Sequence, residues 1–310
     1  MFSPGTAMRS LLKIKYLLLL FLLIWLSGQV AAQSRFFFSA GLGTVYYNGD
    51  LRDKRLLPPL ESFHIIRDFN IGYNINHHFD LTFNYYNGKV DCADSLANEY
   101  DNVLRNQNFR SEVDEINFTL RFKLFRIDKN YVVNPYVMAG FGWLFFNPET
   151  YYNGQWYALH PLGTEGQYIA NSEENYPAPY KLTTNTLPLG FGVMMRLNSS
   201  WKIKAEFIQH FLFTDYLDDT SSKYPDSLEL TATPGGALAA VLSSRRLDGY
   251  PSYRRNRGNA NANDNYVSIS VGIVFNPHRK KSYEYQKLRI LSRFYQGKKG
   301  WWGNKGNGLE

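Results

Sequence analysis

Apolar and polar side chains alternate with a period of two in eight separate stretches of the chain. In the fourth stretch, apolar residues at the even positions from 116 to 124 alternate with polar ones that include Arg121 and Lys123. This alternation is the signal of a β-strand with one apolar and one polar face. We therefore predict eight strands, over residues 36–43, 63–73, 80–85, 116–124, 137–145, 187–196, 202–211 and 267–275.

The connections between these strands alternate in length. Those after the second, fourth and sixth strands are short turns near residues 74–78, 126–130 and 198–200, whereas the other four run from about ten to about fifty residues. Short turns on one rim and long loops on the other are typical of outer-membrane barrels, whose termini are periplasmic. The alternative is a soluble β-sandwich, which would bury the aromatic face and carry loops of mixed length at both ends.

The fold class predicted is thus all-β, an eight-stranded antiparallel transmembrane β-barrel. A barrel of eight strands has an interior that side chains fill, so we do not expect a diffusion pore. Charges in such an interior must be paired. The charged residues expected to pair inside are Arg121, Lys123, Arg196, Lys202 and Lys204 with Asp68, Asp80, Glu115 and Glu206. The aromatic residues expected at the membrane interfaces are Tyr46, Tyr47, Tyr85, Tyr86, Trp143 and Trp201.

Residues 1–32 have the pattern of a secretory signal peptide. A basic stretch precedes an apolar run at 16–26, and small residues at 30–32 place the cleavage site before Gln33. The alternative is a permanent membrane anchor, although the run is shorter than the roughly 20 residues that a spanning helix needs. The predicted organisation is a signal peptide at 1–32, a barrel at 33–276 and a tail at 277–310.

Composition agrees with a membrane barrel and places the positive charge outside it. Aromatic residues make up 16% of the chain and charged residues 20%, a mixture that suits strands facing lipid on one side and water on the other. From Arg279 onward nine residues are basic and two acidic, so the net charge of +7 comes from the two ends of the chain. This distribution argues against a nucleic-acid-binding domain. Cys92, the only cysteine, excludes an intramolecular disulfide.

The basic tail is a candidate partner-binding segment. Residues 283–296 have the pattern of a basic amphipathic helix, which would lie on the inner leaflet or dock on an acidic periplasmic partner. Its basic residues are Lys280, Lys281, Lys287, Arg289 and Arg293. A disordered, solvated tail is the alternative.

Asp215, Asp218 and Asp219 place three carboxylates within five residues at the rim of the seventh strand. Calcium takes oxygen ligands of this kind, but the glycine and the ligand order of a calcium-binding loop are missing. Turn capping, or pairing with Arg257 of the neighbouring loop, is the favoured interpretation. We therefore expect no metal and no cofactor.

Catalysis was considered for the histidines placed above the membrane midplane. His64, His160 and His210 could act as bases for Ser62 or Ser111, but no nucleophile motif surrounds either serine. We therefore predict a protein that is not an enzyme and has no small-molecule substrate.

Several short motifs along the barrel resemble a known family. The most specific is the run Phe-Thr-Asp-Tyr-Leu-Asp-Asp at 213–219; the others lie at 40–43, 47–51, 86–90, 105–111, 257–259 and 264–266. In these motifs the sequence is similar to small Bacteroidota outer-membrane barrels, a family that includes the PorG-like component of type IX secretion. The resemblance implies a non-enzymatic anchoring or assembly component that sits in outer-membrane lipid and contacts periplasmic ring subunits. The competing hypothesis is a stand-alone surface barrel that binds a ligand or partner through its long loops at 151–180 and 221–264.

Overall fold

The computed structural model describes residues 35–51, 59–97, 99–125, 132–170, 174–251 and 255–277. Residues 35–276 form one compact unit. The predicted signal peptide and the tail residues from Lys280 to Arg293 lie outside the described residues.

Nine strands and three α-helices make up the regular structure of the described residues. The strands are β1 (Phe36–Asn48), β2 (His64–Asn74), β3 (Phe79–Ala93), β4 (Asn108–Lys123), β5 (Val133–Tyr152), β6 (Gln155–Ala158), β7 (Thr183–Arg196), β8 (Trp201–Leu212) and β9 (Asn265–Phe275). The helices are α1 (Tyr100–Arg105), α2 (Ser227–Thr231) and α3 (Gly236–Ser243). No helix among the described residues has both the length and the apolar character needed to cross a bilayer.

Eight of the strands close into a barrel. Each pairs antiparallel with its neighbours, and β1 pairs with both β2 and β9. The pairing of β4 with β5, for example Phe118 opposite Phe141, closes the ring. The predicted fold class is therefore confirmed.

β6 is an addition that the alternation did not predict. It pairs with the end of β5 through a turn in which Asn153 and Gly154 have φ values of 47° and 86°. Two successive residues with positive φ are the requirement of a type I′ hairpin turn, which Asn-Gly satisfies. β5 and β6 therefore form a hairpin beyond the barrel.

The two faces of the barrel wall differ in polarity as predicted. On β2, Asp68 and Asn70 are buried in the lumen, while Phe69 and Ile71 are about half exposed on the outside. The same parity holds on β4, where Arg121 is fully buried and Phe118 is 47% exposed. Because strand residues alternate between faces, the register that puts these apolar side chains outside puts the polar side chains between them inside.

Ion pairs fill the lumen. Arg121 Nη2 lies 2.9 Å from Glu206 Oε1, and Lys204 Nζ lies 2.7 Å from the other oxygen of the same carboxylate. Lys204 also contacts Asp68 at 2.5 Å. Of the other predicted pairing partners, Lys123 Nζ meets Asp80 Oδ1 at 2.6 Å. Arg196 and Lys202 lie partly exposed near the turn between β7 and β8, and Glu115 pairs with His210 at 3.0 Å.

Aromatic pairs mark the outer surface near the short turns. Ring centroids lie 5.1 Å apart in Phe36–Tyr73, 5.2 Å apart in Phe79–Phe122 and 4.7 Å apart in Trp201–Phe275. Such a girdle is typical of the membrane interface of barrels.

The prediction that Tyr47 and Tyr86 belong to the girdles was wrong. Their side chains are buried, at 3% and 2% exposure, because each follows an outward-facing tyrosine, Tyr46 or Tyr85, in the sequence. Adjacent strand residues face opposite sides of the sheet, so only one of each pair can reach lipid.

A ring of outward-facing polar residues limits the apolar surface on the side of the long loops. Its members on successive strands are Asn48, Arg67, Asn87, Asp114, Asn147, Asn185, Gln209 and Asn265. Several are hydrogen-bonded across strands: Asn87 Nδ2 donates to Asp114 at 2.8 Å and Asn48 Nδ2 to Asn265 at 2.7 Å. From Asp114 to Leu124 the chain covers about 33 Å along the strand, which a tilt of about 40° reduces to about 25 Å. That height is the apolar band of a transmembrane barrel.

Candidate functional site in the outer loops

The four long connections all leave the barrel on the side of the polar ring, because the antiparallel strands turn tightly at the other end. We call the described residues of 49–63, 94–107, 153–182 and 213–264 the outer cap. The cap has an apolar core of its own. Its buried members are Leu51, Leu159, Leu217, Tyr224, Leu230, Ala239 and Leu242.

Arg257 ties the third and fourth connections together. Its Nη1 lies 3.0 Å from Glu165 Oε1, and its Nη2 lies 3.5 Å from Asp219 Oδ2. The guanidinium also donates to the backbone carbonyls of Asp219 and, at 3.1 Å, Ser243. Although burial lowers the pKa of Arg257, Glu165 and Asp219 more than offset this and keep it above its usual value. A buried cation with this number of partners fixes the loops around it.

Glu165 and Asp219 also accept hydrogen bonds from other residues of the cap. Ser221 N donates to Glu165 at 2.8 Å and Ser222 Oγ at 2.7 Å, while Tyr180 Oη donates to Asp219 at 2.6 Å. Asp219 has φ of 64°, a left-handed conformation that aspartate tolerates better than most residues. Burial raises the pKa of Asp219 to about 6 despite the opposing charge of Arg257.

A second polar centre joins the barrel wall to the cap. Tyr47 Oη on β1 lies 2.6 Å from Asp218 Oδ2 and 2.7 Å from Asp264 Oδ1. The backbone amides of Thr220 and Leu217 each donate to one of these carboxyls at 2.9 Å. Burial and the mutual repulsion of the two carboxyls raise the pKa of Asp218 well above its ordinary value, and burial also raises that of Asp264.

The second connection is held by a bidentate ion pair. Arg105 donates to both oxygens of Asp94 at 2.8 and 2.7 Å, and to the carbonyl of Asp50 at 3.2 Å. Gln107 Nε2 donates to the carbonyl of Ser243, which also accepts from Arg257. The contacts of these side chains thus link all four connections.

Asp215 differs from its neighbours in being weakly hydrogen-bonded, with the Ser221 hydroxyl as its nearby donor. The side chain is 6% exposed, and neither carboxyl oxygen has a donor in close bonding geometry among the described residues. Burial and the nearby Asp50 raise its pKa to about 8, while Ser221 has a smaller opposing effect.

The three aspartates predicted from the sequence lie in different surroundings. Asp219 contacts Arg257, Asp218 shares Tyr47 with Asp264, and Asp215 faces Asp50. Within the described residues no three Asp, Glu, His or Cys side chains have the arrangement of a metal site. Sequence reasoning did not identify Glu165 and Tyr180, which stand in no motif and reach the site only through folding of the third connection.

The histidines considered for catalysis also lie apart. His64 Nε2 contacts Asp91 at 2.6 Å, and His160 packs on Tyr180. His210 bonds Glu115 through Nδ1 and, through Nε2, Ser268 at 3.0 Å, rather than Ser62 or Ser111. All three groups of this Ser-His-Glu arrangement are buried in the lumen, with His210 stacked on Tyr266 at 4.3 Å. The described residues leave Ser268 no surface on which a substrate could reach it.

Comparison with solved structures finds small barrels at low identity. The Neisserial surface protein A is 11% identical over 79% of this chain and 98% of its own, with a TM-score of 0.39. Ail of Yersinia pestis is 10% identical over 79% and 99%, with a TM-score of 0.38. OprG of Pseudomonas aeruginosa is 8% identical over 80% and 99%, with a TM-score of 0.35. At these values the similarity says nothing about function, and the fold rests on the strand pairing itself.

Curated proteins gave no significant match to the sequence. One family model does match, that of the Domain of unknown function (DUF6089), over residues 13–233. The match covers more than half of the chain, including β1–β8 and the first three connections of the cap. The chain therefore belongs to the DUF6089 family.

Proposed function

We propose that this protein is a non-enzymatic outer-membrane barrel that serves as an anchoring or assembly component of type IX secretion and contacts periplasmic ring subunits. The observation that carries the membrane part of the proposal is the apolar exterior, bounded by aromatic pairs on one side and the polar ring on the other. With that orientation the short turns face the periplasm and the outer cap faces outward.

The lumen favours an anchor over a conduit. Arg121, Lys204 and Glu206 cross the interior as one ion-paired group with side chains 0% exposed. A packed eight-stranded lumen passes no polypeptide. A role in secretion would therefore depend on contacts made by the outer surface of the barrel, its turns or its ends.

The link to type IX secretion comes from the family resemblance of the sequence. Several residues of the resembling motifs, including Tyr47, Asp219 and Arg257, make the buried contacts of the outer cap. The motifs thus supply contacts that hold the cap together as a folded unit. On the opposite rim, a shallow pocket of about 470 Å³ lies beside the β2–β3 turn and is a candidate contact for a periplasmic subunit. It is lined by Asn76, His77, His78, Phe79, Phe122 and Leu124.

Site-specific photocrosslinking in native envelopes tests this function. A photoreactive residue placed at Asn76 or Ser199, in two of the short turns, should recover periplasmic ring subunits. The control positions are Tyr100 and Leu247 in the outer cap, where a photoreactive residue should recover no ring subunits. Recovery of ring subunits from neither turn would contradict the proposal.

The second candidate function is binding of a ligand or partner by the outer cap. It is favoured by large apolar side chains that the cap leaves in solvent: Tyr100 is 77% exposed, Leu228 79% and Leu247 67%. A ligand- or partner-binding cap would use such side chains as a contiguous apolar patch. The same crosslinking experiment separates the two functions, because a surface-binding barrel would give adducts from Tyr100 or Leu247 and none from the turns.

A further inference from the structure

The Tyr47–Asp218–Asp264 group contains one proton more than its tyrosine supplies. A phenol has one O–H and donates to one acceptor, yet Tyr47 Oη lies within 2.7 Å of carboxyl oxygens of both Asp218 and Asp264. Two such contacts are satisfied together only when one carboxyl is itself protonated and donates to the phenol oxygen. The geometry therefore requires a buried carboxylic acid at the base of the cap.

Asp215 adds a second buried carboxyl with little compensation. Its oxygens are shielded from solvent and have no donor in close bonding geometry among the described residues, and the nearby Ser221 offsets only part of the effect of burial. An unpaired carboxylate is strongly disfavoured in such a place. The charged groups around it are mostly of the same sign: Asp50, Asp218 and Glu165 raise its pKa. A proton on Asp215 removes this penalty.

The two buried arginines nearest these carboxyls already pair with other acidic residues. Arg105 is held by Asp94 and Arg257 by Glu165 and Asp219. The titratable groups that face these carboxyls come from β1, from the end of β3 and from every connection of the cap. They are Tyr47, Asp50, Cys92, Asp94, Arg105, Glu165, Tyr180, Asp215, Asp218, Asp219, Tyr224, Arg257 and Asp264.

We infer that the outer cap is a proton-dependent closure, held shut over the barrel by protonated Asp215 and by the shared proton of Asp218 and Asp264, and loosened when these protons are lost. The ligand of the site is the proton itself. The inference does not depend on a role in secretion.

The direction of the pH effect follows from linkage. The pKa of Asp215 rises from 3.8 in the open chain to about 8 in the closed cap, so the closed form binds more protons between these values. Closure is then strongest below about pH 4 and is lost as the pH rises through 8. Between these limits the opening constant grows by up to about tenfold per pH unit.

Cys92 is a built-in reporter of cap opening. It is the only cysteine of the chain, lies partly buried at the end of β3, and donates its thiol hydrogen to the carbonyl of Leu51 in the first connection. The full-length barrel is labelled with a thiol reagent at pH 5.5 and 8.5, beside the double variant Asp215→Asn/Asp218→Asn. Burial and nearby carboxylates, Asp218 among them, raise the pKa of Cys92 in the closed cap. Replacing Asp218 therefore favours faster labelling of the variant, so slower labelling of the variant reports closure rather than thiol chemistry.

The native-to-variant rate ratio should be at least about tenfold larger at pH 8.5 than at pH 5.5, because the opening constant of the native protein grows between these pH values while that of the variant stays constant. Glu61→Gln, which removes an exposed acid of the first connection, should follow the native protein at both pH values. Heat-modifiable migration in gels shows that each variant is folded.

Two results would overturn the inference. One is a native-to-variant rate ratio that stays the same at both pH values. The other is a native rate at pH 8.5 that falls to the variant's rate on addition of millimolar Ca²⁺, since a divalent cation rather than the proton would then neutralise the carboxyls.

Discussion

At the scale of single residues, the lumen and the cap handle buried charge in different ways. In the lumen, Lys204 and Arg121 meet Glu206 with side chains that are wholly buried. In the cap, buried carboxyls outnumber the arginines that pair with them. By our inference, protons neutralise the remaining carboxyls. Breaking a buried pair by removing one partner is costly because the other charge stays behind.

Glu206→Ala should therefore destabilise the barrel by about 3–5 kcal/mol, since it leaves Arg121 and Lys204 without their shared partner. The free energy of unfolding in urea, measured in lipid vesicles, checks this value. Glu112→Ala is the matched control. Its carboxylate is 3.6 Å from Lys89 and its side chain 73% exposed, so we expect a loss of less than about 1 kcal/mol. Equal losses in the two variants would contradict a buried network.

At the scale of elements, each long strand has two environments on its outward face. β4 runs from Glu112 and Asp114 beyond the apolar surface to Phe118 and Phe122 within it. A charge on the outward face should therefore be tolerated or resisted according to its height along the strand.

Phe118→Arg should cost about 2–4 kcal/mol, because it places a cation on the lipid-facing surface near the middle of the apolar band. Glu112→Arg on the same strand and face, above the polar ring, should cost no more than about 1 kcal/mol. Equilibrium unfolding from vesicles measures both. If Phe118→Arg were as mild as Glu112→Arg, the apolar surface would not face hydrocarbon.

At the scale of the whole molecule, the barrel has a rim of short turns and an opposite rim of packed loops. Our proposal places the first rim in the periplasm and assigns the secretion partners to it. The basic tail, which lies outside the described residues, would act on the same side of the membrane because both termini of the barrel sequence are at the short-turn rim.

Deleting residues 279–310 should leave membrane insertion intact and weaken recovery of ring subunits in a pull-down, since the tail carries nine basic residues suited to an acidic partner. The control keeps the tail but exchanges Lys287, Arg289 and Arg293 for glutamine, which should give the same loss if charge is what binds. Unchanged recovery after the deletion would show that the tail does not dock.

Local sequence was sufficient for the strands but not for the cap. Alternation predicted all eight barrel strands because, within the apolar band, one face of each strand is turned to lipid and the other to the polar lumen. The short β6 escaped prediction, since four residues carry too little pattern. Tyr47 and Tyr86 were misplaced because composition suggested an interfacial role, whereas their parity with Tyr46 and Tyr85 decides the face.

The sequence by itself determined the barrel, since a period of two is a local property that backbone geometry converts directly into an inside and an outside. Only the tertiary structure decided the polar centres of the cap. Glu165, Asp219 and Arg257 lie far apart in the chain, and their meeting depends on how four connections pack. The sequence suggested that these aspartates pair with Arg257, but no local period encodes the burial of the carboxyls or the part that Glu165 plays, so these could be found only from the folded chain.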